Sequence, residues 1–450
     1  MNEVSQMLKR SALGLFVVLA MGLPVLPSPL QFVTVVAAQA QQQDPAAPKK
    51  ETRKVPAMSE ATFKKLTEAQ EALDAKNFQQ ALTVLNGMLA DGRKMNGNEV
   101  GQVQNILGFV YFSMENYPAA IKAYEQVLSQ GENIPEGLEV QTMYTLAQLS
   151  FVAENYQKAL DYMEMWITKA DNPGADPHIF MGQVYYQMNN FNAAIEQIET
   201  GMRIARERNA PVKEQWLALL NFLYFEKEDW PKVFETLEEL VIKFPKREYW
   251  LRLAGIHGQE GNDREALGAY EAASTAGFLT QQGDITNYAG LLMQAEVPYR
   301  AARVLEDGLK KGVVEKNDKN LLSLGQAWQM AQETRKAIPV LEDAARLSPD
   351  GKIYERLASL YLDNDEYEKC ESAAGRALER GGLRKVQTVN VIKGMCLFNM
   401  DKLAKSRESF QACQVSARRD NDQTNLRICA QWITYIDSES NRRAQLAAAN

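Results

Sequence analysis

Histidine is nearly missing from this sequence. His178 and His257 are the two among 450 residues. That scarcity excludes a His-rich metal centre and leaves few candidates for a general base at neutral pH. Cysteine is absent from the first 369 residues, and the four that occur, Cys370, Cys396, Cys413 and Cys429, form no CxxC pair. The usual zinc and thiol-redox spacings are therefore missing. Cations are in deficit, with 50 Lys and Arg against 57 Asp and Glu and a net charge of −7. Without a strongly basic face to neutralise phosphates, nucleic acid is not an expected partner. No GxSxG elbow, GxxxxGK[ST] loop, HExxH helix or GxGxxG turn occurs, so neither an enzyme, a cofactor, a metal site nor a small-molecule substrate is expected.

Hydrophobic residues make up 46% and charged residues 24%, an ordinary globular balance. Length alone would suggest about three domains. The N-terminus departs from that balance. Lys9 and Arg10 precede an apolar run from Ser11 to Leu23, then come Pro24, Pro27 and Pro29, and then Ala38-Gln39-Ala40. A positive start, a short apolar stretch and a small-x-small site read as a cleavable export signal over residues 1–40. The run is too short to cross a bilayer, although an uncleaved inner-membrane anchor is the alternative. Residues 41–58, QQQDPAAPKKETRKVPAM, are polar and proline-containing and are expected to be a disordered linker.

From Ser59 onward the sequence repeats itself. ILGFVYFSMENYPAAIKAYEQVL at 106–128 is echoed by TLAQLSFVAENYQKALDYMEMWI at 145–167 and FMGQVYYQMNNFNAAIEQIETGM at 180–202. Each block reads as two amphipathic helices joined by an Asn-aromatic turn. Ten small or compact residues, Ala81, Ala120, Ala159, Ala194, Val233, Ala266, Ala301, Ala337, Cys370 and Ser406, mark the second helix of successive units. Their mean spacing is about 36 residues. Twelve residues before each stands a second column, which is Gly or Ala everywhere except Asn221. Helices approach closely only where side chains are small, which is why such columns recur.

These blocks resemble the tetratricopeptide repeat (TPR). The resemblance covers residues 59–417 and implies an all-α, right-handed solenoid of about ten helical hairpins, followed by a C-terminal capping helix over 418–440 and a disordered tail over 441–450. Registers in units six to eight rest on turn residues that match the pattern less well, Asp263, Pro298 and Thr334. The resemblance also implies that the first helix of each unit lines a concave groove. The corresponding positions of units two to five hold Gln102, Asn105, Phe109 and Phe112; Gln141, Tyr144, Gln148 and Phe151; Gln183, Tyr186 and Gln187; and Gln215, Phe222 and Phe225. Amides offer donors and acceptors to an extended backbone, and rings offer anchors. The column Phe112, Phe151, Tyr186 and Phe225 reads equally as packing between neighbouring helices. A carboxylate-clamp subtype is not expected, because Leu66, Gln70, Gln102, Asn105 and Gln141 supply no cation.

His178 and His257 fall at helix positions and read as packed or capping residues. Antiparallel packing would bring Cys370 level with Cys396, and Cys413 against Cys429. An exported chain could oxidise both pairs, while other pairings and four free thiols remain open. The mature chain is similar to periplasmic TPR proteins of Gram-negative bacteria associated with TonB systems. That resemblance implies a periplasmic scaffold binding a protein or peptide beside the TonB–ExbB–ExbD complex, near a membrane rather than in it. An assembly factor for outer-membrane, pilus or polysaccharide machinery is the alternative.

Overall fold

The computed structural model describes residues 53–91 and 94–449. The expected export signal and residues 41–52 of the expected linker lie outside them. Among the described residues, all extended regular structure is α-helical. Ten antiparallel hairpins follow one another: α1 (Glu60–Asp74) and α2 (Phe78–Ala90), α3 (Gly97–Ser113) and α4 (Tyr117–Leu128), α5 (Glu136–Val152) and α6 (Tyr156–Lys169), α7 (Asp176–Gln187) and α8 (Phe191–Glu207), α9 (Glu214–Glu226) and α10 (Trp230–Lys243), α11 (Arg247–Gln259) and α12 (Asp263–Thr275), α13 (Gln282–Gln294) and α14 (Pro298–Lys310), α15 (Asp318–Met330) and α16 (Thr334–Leu347), α17 (Lys352–Asp363) and α18 (Tyr367–Arg380), α19 (Val386–Asn399) and α20 (Leu403–Arg419). A final helix, α21 (Gln423–Ala449), closes the array. Asp263, Pro298 and Thr334 each open the second helix of their hairpin, which settles the three weaker registers. The chain divides into two compact units, with the boundary after Phe244. Hairpins one to five make the first, and six to ten with α21 the second.

Each hairpin turns by the same local device. In hairpin two, Glu115 adopts φ 60°. Its N–H reaches back to Phe112 O (2.8 Å), and the Asn116 N–H reaches Tyr111 O (2.8 Å). These bonds satisfy the last carbonyls of α3 and stop it. Asn116 then caps α4, its side chain accepting from the Ala119 N–H (3.3 Å). Lys76, Glu154, Asn189 and Glu228 occupy the same left-handed position in the other hairpins of the first unit.

The small columns do the work that their chemistry suggested. Ala81, Ala120, Ala159, Ala194, Ala301 and Ala337 are completely buried. A Cβ on Gly108 would come within 2.7 Å of the Tyr124 ring, and one on Gly182 within 2.6 Å of Ile198. The large residue in the middle of the second helix thus fills the space its partner helix leaves open. Asn221, the exception in its column, is buried but satisfied. Its amide donates to Val233 O (2.9 Å) and Thr236 Oγ1 (2.9 Å) across the hairpin.

Two boundary expectations need correction. Arg53–Met58 is non-helical but fastened to hairpins two and three, so these six residues are not a disordered linker. Arg53 Nη1 donates to Glu139 Oε2 (2.9 Å), and Asn98 Nδ2 to Pro56 O (2.9 Å). The stretch 441–449 is helical, not a disordered tail. It continues α21, with Arg442 on Glu439 (2.7 Å) and Arg443 reaching Asp401 in the preceding hairpin.

In the second unit, buried residues from Ile285 to Cys396 form one continuous core. At its end the Trp432 ring of α21 stacks on Phe410 (centroids 5.2 Å apart), and Arg407 pairs with Asp437 (2.6 Å). Disulfides join Cys370 to Cys396 (Cα–Cα 6.1 Å) and Cys413 to Cys429 (Cα–Cα 6.2 Å), and all four cysteines are fully buried.

Candidate interaction groove

The first unit carries a ladder of half-exposed rings along the C-terminal ends of its first helices. Phe112, Phe151, Tyr186 and Phe225 are each the penultimate residue of α3, α5, α7 and α9. Each packs on the aromatic residue that opens the next helix. The centroid distances are 6.1 Å for Phe112–Tyr117, 5.8 Å for Phe151–Tyr156, 6.2 Å for Tyr186–Phe191 and 5.6 Å for Phe225–Trp230. Two rings also bridge hairpins: Phe151 meets Phe180 at 5.7 Å and Tyr186 meets Phe222 at 5.8 Å, both edge-on. The geometry is that of mutually supporting aromatic pairs. It fixes each ring by packing while leaving part of it in solvent. Packing and exposure coexist at this column.

The second ring of each pair, Tyr117, Tyr156, Phe191 and Trp230, was legible only as a turn-filling core residue. Its place beside the ladder follows from the tightness of the turn. Met114 and Met188, 43% and 39% exposed, lie two residues beyond Phe112 and Tyr186 and add adaptable apolar surface. One carboxylate, Glu226, lies near the Tyr186 ring. Burial and the neighbouring Glu226 carboxylate both raise the Tyr186 hydroxyl above its ordinary value, so that hydroxyl stays protonated.

The remaining candidates divide. Gln102, Gln141, Gln148, Gln183 and Gln187 are half-buried, and Gln215 is exposed. Phe109 packs on the core shared by hairpins one and two. Tyr144 meets the Trp166 ring on α6 (5.4 Å), with Asp176 nearby. Asn105 is buried, which corrects its assignment to an accessible groove. His178 Nδ1 lies 2.9 Å from Gln197 Oε1, a contact across its own hairpin. Among the described residues, no group of three or more His, Cys, Asp or Glu is placed to hold a metal ion, and no helix is long and apolar enough to cross a membrane.

Family models of the tetratricopeptide repeat match residues 99–168 and 175–208. No curated protein matches the chain. Similar solved structures include the APC/C hetero-tetramer Cut9–Hcn1 (13% identity, 84% of this chain and 97% of that one, TM-score 0.35). MamA 41-end from Desulfovibrio magneticus RS-1 is another (16% identity, 41% and 96%, TM-score 0.32). A third is YrrB, described as a TPR protein with an unusual peptide-binding site (13% identity, 43% and 97%, TM-score 0.35). With the matched residues lying in hairpins two to four, and the same turns and small columns recurring through the array, the chain carries tetratricopeptide repeats.

Proposed function

We propose that this chain is a non-catalytic scaffold that binds a protein or an extended peptide through the ring ladder of hairpins two to five. The observation that carries this reading is the set of four half-exposed rings, each held by a second ring. Anchors that are rigid before binding lose little entropy on binding. The half-buried glutamines beside them supply donors and acceptors for a backbone.

The finer reading is that the scaffold is exported and works beside the TonB–ExbB–ExbD complex in the periplasm. Three features support it: the basic start, apolar run and Ala38-Gln39-Ala40 site; two buried disulfides, which suit an oxidising compartment; and the resemblance of the ENYPAAIKAYEQVL and ENYQKALDYMEMW blocks to periplasmic proteins of such systems. The test is crosslinking in an envelope fraction with the unaltered chain and with a variant carrying Phe112→Ala, Phe151→Ala and Phe225→Ala. The expected result is an inner-membrane transport component recovered by the first and lost from the second. Recovery of no such component overturns the pathway. Equal recovery by both overturns the ladder as the binding surface.

A further inference from the structure

The stretch Arg53–Ser59 crosses the N-terminal ends of α3 and α5 before α1 begins. Asn98 Nδ2 donates to Pro56 O (2.9 Å) and Asn96 Nδ2 to Ala57 O (2.8 Å). Arg53 Nη1 donates to Ile134 O (3.3 Å) and Glu139 Oε2 (2.9 Å). The Ser59 N–H and hydroxyl both donate to Glu99 Oε1 (2.9 and 2.6 Å). Burial would raise the Glu99 carboxyl, but these bonds and the Asn96 N–H hold it down at about 2, so the acceptor stays charged.

Three features make this stretch look like a bound ligand rather than an ordinary part of the core. None of its residues is itself buried, although Met58 packs on the core of hairpins one and two, and Asn98 and Asn96 take the Pro56 and Ala57 carbonyls, a mode of recognition indifferent to the ligand side chains at those two positions. At its Arg53 end the array also remains balanced without it. Glu139, 7% exposed, holds Lys169 as well as Arg53, so removing Arg53 leaves no stranded carboxylate.

The third feature is a defect in the fit. Asn98 is 8% exposed, and its Oδ1 is buried without a hydrogen-bond partner. In an extended residue the N–H and C=O point to the same side. An amide that donates to the carbonyl is therefore placed to accept from the N–H of the same residue. Here that residue is Pro56, which has no N–H to give.

We infer that Asn96, Asn98, Glu99, Ile134 and Glu139 form a binding site for an extended cationic peptide segment, which Arg53–Ser59 occupies in cis as an imperfect ligand. The segment that fits carries a cation, two further residues, and then a residue other than proline whose N–H meets Asn98 Oδ1. Such a segment, presented by a partner protein, displaces the chain's own. The site lies at the N-terminal ends of the first helices and the ring ladder at their C-terminal ends, so this inference does not rest on the ladder.

The test uses the full chain carrying Arg53→Ala, which loosens the cis segment. The probes are two fluorescent peptides, Arg-Lys-Val-Pro-Ala-Met-Ser and the same sequence with alanine for proline, capped at both ends. The alanine peptide is expected to bind the variant at least about tenfold more tightly than the proline peptide, and the unaltered chain at least about tenfold more weakly than the variant. Adding Glu139→Gln to the variant should weaken both peptides. No binding to the variant, equal binding of the two peptides, or equal binding of a peptide with glutamate for arginine overturns the inference. A second measurement stands apart from the variant's folding: Pro56→Ala in the full chain should slow amide exchange across residues 54–58 several-fold. Unchanged or faster exchange shows that Asn98 Oδ1 is not aimed at this backbone.

Discussion

The two units use one repeat for different ends. In the first, the penultimate position of the first helix carries Leu73 in hairpin one and Phe112, Phe151, Tyr186 and Phe225 in hairpins two to five. In the second, the matching positions of α11, α13, α15 and α17 hold Gly258, Met293, Gln329 and Leu362, and that of α19 holds Phe398, a ring packed on Trp432 and Tyr435 of α21 (5.3 and 5.6 Å). Residues 53–244 hold 17 Lys and Arg against 26 Asp and Glu, a net of −9, whereas residues 245–450 hold 29 against 28, a net of +1. The cores differ as well. Buried residues of hairpins one to four form successive local clusters, but those from Ile285 to Cys396 are continuous, and both disulfides lie in the second unit. The small columns that hold a hairpin together are common to both. What varies is the position those columns leave free: four successive hairpins of the first unit place rings there, whereas the one ring at that position in the second unit, Phe398, is packed on the closing helix.

The largest break in this comparison should come from the disulfides. Replacing Cys370 and Cys396 with alanine removes a cross-link closing 26 residues of chain. It should cost the second unit about 3 kcal/mol. Calorimetry should show the transition of the second unit falling and that of the first standing still. Equal shifts of both would mean that the two units unfold as one.

Next comes the ladder. Phe151→Ala removes ring contacts to both Tyr156 and Phe180 and should cost the first unit about 2 kcal/mol. Gln329→Ala, at the matching position of the second unit, should change stability by less than about 0.5 kcal/mol. Urea melts of both variants measure the difference. Similar losses would show that this position is structural throughout the array.

Most of the fold was legible because a repeat prints its packing many times over. Gly108, Gly182, Gly325 and Gly394 each face a large residue on the partner helix, and four such coincidences identify a column where one would not. The ladder was legible as a row of rings but not as pairs, because Tyr117 and Trp230 belong to the turn pattern in sequence and to the ladder in space. Asn105 and Tyr144 share the spacing of groove residues, yet one is buried and the other is drawn to Trp166 by a ring contact that spacing cannot encode. The strap at Arg53 was illegible for a plainer reason. Its composition is that of a linker, and the carboxylate that holds it lies 86 residues away.

Glycine substitutions should have opposite signs within the second unit. A Cβ on Gly394 would lie 2.7 Å from the Phe410 ring, which Trp432 holds from the other side. Gly394→Ala should therefore cost about 1–2 kcal/mol, with the strain outweighing the gain in helix propensity. Gly258, where the first unit has rings, has nothing within 4 Å. Gly258→Ala should stabilise the second unit by somewhat under about 1 kcal/mol. Thermal melts read both signs, and a destabilising Gly258→Ala would show that this bare position is occupied in the folded chain.

The smallest effect concerns the turns. Glu154 closes its helix at φ 58°, where a Cβ is strained, whereas the matching residue of hairpin six is Gly261 at φ 75°. Glu154→Gly relieves that strain but frees the unfolded chain, so the net gain should be about 0.5 kcal/mol. Gly261→Glu should lose a similar amount. Melts of the two reciprocal variants test whether the turns are interchangeable between units. If Glu154→Gly instead destabilises, the side chain at this turn contributes more to the folded first unit than its backbone strain costs.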